Sequence, residues 1–148
     1  MVKKDGKTEI IAGFPWFGRW GRDTFISLPG LTLYNDKNIK TCEEVLKTMT
    51  KDMRNGLFPN IGYGSNSALN SVDAPLWFFW ALQQCAEFKN DKLSAWKTFH
   101  TKIKAILKNL KNGTDFNIKM HDNGLIYAGQ KGKALTWMDA VANGKPAT

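Results

Sequence analysis

Three short stretches pair a carboxylate with an indole, and they lie far apart along the 148-residue chain: Trp20-Gly21-Arg22-Asp23, Val72-Asp73-Ala74-Pro75-Leu76-Trp77 and Thr136-Trp137-Met138-Asp139. Carboxyl groups do acid–base work, and flat aromatic faces receive the C–H side of a pyranose ring. If the three stretches meet at one hollow, they supply what a glycosidase needs: carboxyls on both sides of a sugar held by aromatics. Each acid also has an ordinary structural role open to it. Asp73 stands where a helix N-cap would stand. Asp23 beside Arg22 reads as a fixed ion pair or as a clamp for hydroxyls. Asp139 fits an acid at a helix start, interacting with the dipole. The joint occurrence carries the functional reading, not any one acid.

The first stretch sits in an unusual segment, Gly13 to Leu31, where Phe14, Trp16, Phe17 and Trp20 are set among glycines and prolines. A core segment does not place its apolar side chains this way, and a disordered linker does not carry them at all. An aromatic loop ending in Arg22-Asp23 offers apolar faces together with charged donors and acceptors.

The elements that must position these residues read as mostly helical. Lys4-Asp5-Gly6-Lys7 signals a tight turn, with Thr8 to Ile11 as the following strand of a short N-terminal hairpin. A helix begins at Arg22 or Asp23, is kinked or shortened by Pro29, and breaks at Tyr34-Asn35-Asp36. A second runs from about Asn38 to Met53, stopped by Asn55-Gly56. Leu57-Phe58-Pro59-Asn60 then opens a small polar loop through Ser65, Asn66 and Ser67. The third helix is capped by Ser71 or Asp73, and its run Leu76 to Leu82 is apolar on every side, which predicts burial all round. The fourth, about Asp91 to Leu110, has one stripe (Leu93, Trp96, Phe99, Ile103, Ile106, Leu107, Leu110) among lysines and belongs on the outside. Inner helix, outer helix, glycine loop, inner helix is the alternation of a helical toroid. Asp122 to Tyr127 reads as a turn and short strand, Gly129 to Lys133 as a loop, and Thr136 to Asp139 as the start of a further element.

Composition removes several alternatives. The formal charge is +8, almost all from lysines, since Arg19, Arg22 and Arg54 are the only arginines. Those lysines read as a solvated face rather than a nucleic-acid surface. There is no apolar run long enough to span a membrane, and Met1-Val-Lys-Lys-Asp is not a signal core, which favours a cytoplasmic location. Cys42 and Cys85 make neither a metal spacing nor a disulfide framework, and a reducing compartment fits them. His100 reads as exposed and His121 as part of a turn; neither joins a nucleophilic triad or a metal set, and no phosphate loop is present. No metal or organic cofactor is expected.

At the same residues a family resemblance enters. Gly13 to Leu31 resembles the Gly-Tyr-Pro-Trp-Phe…Trp-Gly-Arg-Asp-Thr…Leu-Pro-Gly signature of the amylo-α-1,6-glucosidase domain of glycogen debranching enzymes. Asn70 to Phe78 resembles that family's Asn-Thr-(Ala/Val)-Asp-Ala-X-Leu-Trp-Phe, and Asp122 to Ala140 its Asp-X-Gly-Leu-(Ile/Leu)-Tyr-Ala-Gly…Leu-Thr-Trp-Met-Asp-Ala. The three blocks follow in order across nearly the whole chain. Leu69 stands where the family often has Tyr, and Gln130 where it often has Glu.

The resemblance implies an all-α fold, a partial (α/α)6 barrel of glucoamylase type with a short N-terminal hairpin. Residues 1–148 would be the N-terminal portion of one glycosidase domain, truncated at both ends. It implies hydrolysis, with inversion, of α-1,6-linked glucose stubs on glycogen or another branched α-glucan. By position, Arg22 and Asp23 resemble the pair that holds hydroxyls of the terminal glucose, and Trp16, Trp20, Trp77 and Trp137 the pocket walls. Asp139 stands where glucoamylase relatives carry the general acid, with Asp73 its rival. Inversion needs a base about 6.5–9.5 Å from the acid, which the resemblance assigns to a later part of the barrel. Two other readings stay open: a non-catalytic glycan-binding remnant, and a related enzyme cutting α-1,4 bonds.

Overall fold

The computed structural model describes residues 1–4, 6–64 and 67–146. Asp5 in the first turn, Ser65 and Asn66 in the polar loop, and Ala147 and Thr148 at the end lie outside the described residues. The hairpin forms from β1 (Val2–Lys4) and β2 (Lys7–Glu9), antiparallel with Val2 opposite Glu9. It is followed by the aromatic loop and then by α1 (Gly21–Pro29). Pro29 does not end the helix: the chain continues through a π-helical turn, Gly30–Asn35, and stops at the expected break. Pro29 is the last residue of α1, and the Gly30 N–H that follows it turns back to the Ser27 carbonyl.

The helix α2 (Ile39–Lys51) is capped by Asn38, whose side chain accepts from the Thr41 N–H at 3.1 Å. Asn55 and Gly56 both take positive φ and fold the chain back, with Arg54 and Leu57 exchanging backbone bonds of 3.0 and 2.8 Å. That turn drops Leu57 and Phe58 into the core. Helix α3 (Ala74–Lys89) touches α1, α2 and α4 (Lys92–Asn112), so the helices are arranged around it. Where α1 meets α3, Phe25, Phe58 and Phe78 close into a three-ring cluster with centroids 4.9, 5.0 and 5.5 Å apart. Cys42 on α2 and Cys85 on α3 are both buried in this core as free thiols. A hydrogen bond between them holds the Cys42 thiol below the usual range and pushes the Cys85 thiol up.

Two expectations about burial are corrected. Helix α3 is not buried all round: Leu76 and Trp80 are exposed, because α1, α2 and α4 leave that face uncovered. On α4 the stripe narrows to Phe99, Ile106 and Leu110, with Ile103 partly covered, while Leu93, Trp96 and Leu107 face solvent. A helix of 21 residues runs past the neighbours that could cover its whole apolar face.

After α4 come two more hairpins, β3 (Lys119–Met120) with β4 (Ile126–Tyr127), and β5 (Val141–Ala142) with β6 (Lys145–Pro146). No helix begins at Thr136, so Asp139 does not sit at a helix start. Asn143 and Gly144, both at positive φ, favour the tight β5–β6 turn that follows instead. The described residues therefore form four α-helices joined by loops and three short two-stranded hairpins.

Candidate active site

The entry to α1 is built against the loop before α3. The Gly21 N–H donates to the Asn60 carbonyl at 3.1 Å, and the Gly62 N–H to the Arg19 carbonyl at 3.2 Å. Asn60 and Ala68 pair in turn, with the Asn60 N–H donating to the Ala68 carbonyl. Further along, the Val72 N–H donates to the Leu135 carbonyl at 2.9 Å, and the Asn70 side-chain amide to the Ala134 carbonyl at 3.0 Å. Backbone bonds thus tie all three acid-and-indole stretches into one layer, although they are separated by some fifty to sixty residues each.

Gly21 is where that layer needs a glycine. A Cβ there would lie 2.2 Å from the Pro59 carbonyl oxygen, which is backbone and cannot rotate aside. The close approach fixes where α1 starts, and with it the directions of Arg22 and Asp23.

Arg19 braces the same corner from beneath. Its side chain is buried, bonded to Glu9 on β2 at 3.3 Å, to Asp52 after α2, and to the Gly62 carbonyl at 3.2 Å. Its guanidinium also lies 4.5 Å from the centre of the Tyr63 ring. Burial, followed by the charge of Glu9, pushes the Tyr63 phenol above the usual tyrosine range. The sequence marks Arg19 only as an arginine between a glycine and a tryptophan; its four partners come from three separate segments, which no local pattern reveals.

One cavity of about 420 Å³ collects Phe17, Trp20, Arg22 and Asp23 with Trp137 and Asp139. Arg22 is buried to 8 % exposure, while Asp23, Trp137 and Asp139 are exposed to solvent. Arg22 does not pair with Asp23. Neighbours on a helix point about 100° apart, so their side chains cannot face each other. Its Nη1 instead lies 3.3 Å from both carboxylate oxygens of Asp73. The Ser71 hydroxyl donates to Asp73 Oδ1 at 2.6 Å and accepts from the Ala74 N–H at 3.3 Å. Ser71 therefore caps α3, and Asp73 makes no side-chain cap bond. Its carboxylate is turned to Arg22.

The remaining expected positions are less central. Trp16 is 83 % exposed on the aromatic loop, and Trp77 is half-buried in α3, 5.6 Å from Trp80. Neither lines the cavity. Phe17 does; the sequence marks it as a member of the aromatic loop and of the Pro-Trp-Phe run. Among the described residues no group of three or more His, Cys, Asp or Glu is arranged to hold a metal ion. Among them, no helix is long and apolar enough to cross a membrane.

Comparison with known families decides the class. The family model described as amylo-alpha-1,6-glucosidase matches residues 1–148. The chain belongs to the amylo-α-1,6-glucosidase family. No solved structure gives a significant match. Membership points to glycoside hydrolysis of the glycogen-debranching type, on a glucan. An open hollow lined by indoles, an arginine and exposed carboxylates is chemically suited to that class.

Proposed function

We propose that these residues form part of a site that hydrolyses α-1,6-linked glucose stubs on glycogen or a limit dextrin, with inversion and without a cofactor. One observation carries the reading. Trp20, Arg22 and Asp23 share a single cavity with Trp137 and Asp139, which lie more than a hundred residues away in sequence. Arg22, steadied by Asp73, donates to hydroxyls of the terminal glucose, and Asp23 accepts from others. Trp20 and Trp137 provide walls, joined by Phe17; Trp16 extends the aromatic surface on the same loop, and Trp77 lies one turn after Asp73 on α3. Asp139 is assigned as general acid, protonating the leaving glycosidic oxygen; a bound glucan would cover its exposed carboxyl beside Trp137. Both oxygens of Asp73 are already engaged by Arg22, and one also by Ser71, which suits a positioning residue better than the acid. The water-activating base is assigned to a carboxylate outside residues 1–148.

The test is glucose release from a branched limit dextrin by the intact protein. Asp139→Asn is expected to lower kcat by about 10²–10⁴ with KM little changed. Asp73→Asn is expected to act mainly through KM. Unchanged turnover in both variants would reject these assignments. The exposure of Phe14 and Trp16 favours a second reading, a glycan-binding surface without catalysis. Maltooligosaccharide binding with no glucose release by the intact protein would establish it.

A further inference from the structure

A second cavity, of about 490 Å³, opens between the loop preceding α3 and the loop following α4. Its walls include Arg54, Ser67, Asn70, Asp115, Phe116 and Lys133. Apart from Asn70, whose side-chain amide holds the Ala134 carbonyl, none of these residues has a part in the site described above. We infer that this cavity is a second glucan-binding site, which holds an α-1,4-linked stretch of the same branched substrate. The inference rests on the glucan reading above and adds to it where the uncleaved chain lies.

The lining has the chemistry of a neutral polyol site. Arg54 and Lys133 bring donors, Asp115 brings acceptor oxygens, and Phe116 brings an aromatic face. A carboxylate in the wall disfavours an anionic ligand, and two cations disfavour a purely apolar one. Several of these groups are held in place before any ligand arrives. Arg54 Nη2 donates to the Ser67 carbonyl at 3.1 Å and to its hydroxyl at 2.9 Å. Asn55 donates to Asp115 at 3.1 Å, fixing that carboxylate.

Phe116 is the unusual member. It holds φ 62° and ψ 27°, and Asn117 after it holds φ 55°. A bulky aromatic in the left-handed region is disfavoured and persists only where its surroundings hold it. Here the Gly129 N–H donates to the Phe116 carbonyl at 3.4 Å, and the Asn117 amide to the Gly129 carbonyl at 2.9 Å. The strained backbone sets the ring in the cavity wall.

Position links the two cavities. Lys133 lines this one, while Trp137 and Asp139 line the other. Six extended residues span at most about 21 Å, so both hollows lie within reach of one short branched oligosaccharide. The bond from Val72 to Leu135 ties down the segment between them.

The experiment is amide and indole NMR of the ¹⁵N-labelled protein titrated with maltoheptaose. Resonances of Phe116, Asn117, Lys133 and the Asn70 side chain are expected to shift, together with those of Asp23 and the Trp20 and Trp137 indoles. Phe116→Gly, which relieves the backbone, should weaken binding at the second cavity about tenfold and leave the first unchanged. Shifts confined to the first cavity would overturn this inference and leave the glucan reading standing. Shifts at neither would overturn both.

Discussion

Gly21→Ala is the most direct probe of how the candidate site is assembled. The added methyl group would lie 2.2 Å from the Pro59 carbonyl oxygen and 3.7 Å from the Ala74 Cβ. An ordinary carbon–oxygen contact is about 3.3 Å, so helix and loop must part by roughly 1 Å. Pro59 is joined to Asn60, whose carbonyl accepts from the Gly21 N–H at 3.1 Å, so the same displacement strains that bond. Overpacking of this kind costs about 1–3 kcal/mol, and a lost hydrogen bond about 1 kcal/mol more. The better helix propensity of alanine returns about 1 kcal/mol. The net is a destabilisation of about 2 kcal/mol, near thirtyfold in the folded-to-unfolded ratio, or about 4–8 °C in Tm. Urea melts of Gly21→Ala measure it against Gly18→Ala, where an added Cβ meets nothing within 4 Å. Gly18→Ala is expected to stay within about 0.5 kcal/mol of the parent. If Gly21→Ala is as stable as the parent, α1 does not start against Pro59. The account of how Arg22 and Asp23 are aimed then fails.

Arg19→Ala leaves Glu9, only 4 % exposed, buried without its charge partner, and should cost about 3–5 kcal/mol in denaturant melts; Glu9→Gln should cost less. Gly30→Ala should stabilise by about 0.5–1 kcal/mol, because Gly30 already has helical φ −57° and ψ −47° with open space at the Cβ position. The Tyr63 phenol should ionise above the usual tyrosine range, read as the ultraviolet difference between the parent and Tyr63→Phe. Its proton is bound more tightly in the folded state, so its stabilising contribution is intact below pH about 10 and lost as the pH rises beyond that. Tyr63→Phe should therefore flatten the alkaline fall in stability.

Two of the three acid-and-indole stretches can be followed from the chain into one cavity, since Trp20 and Asp23 line it together with Trp137 and Asp139, whereas Asp73 and Trp77 do not line it. The helices were legible because their signals are local: Asn38 caps α2, and Asn55-Gly56 turns the chain after it. What local pattern could not give was partnership. Arg22 and Asp23 are adjacent in sequence, yet helix geometry turns them apart, and Arg22 finds Asp73 fifty-one residues on. Likewise Ser71 and Asp73 are both good caps by composition; only the placement of Arg22 decides that Ser71 caps while Asp73 pairs. Apolar runs overstated burial for the same reason. Leu76, Trp80, Leu93 and Trp96 satisfy a helical period, but a period says which face is apolar and not whether a neighbour covers it. The failures share one physical origin, since an ion pair or a packed face has two sides and only one of them is local. That is also why Gly21 matters beyond its own contact: it is where the first acid-and-indole stretch is set against a backbone from elsewhere in the chain, and so where local sequence becomes a shared site.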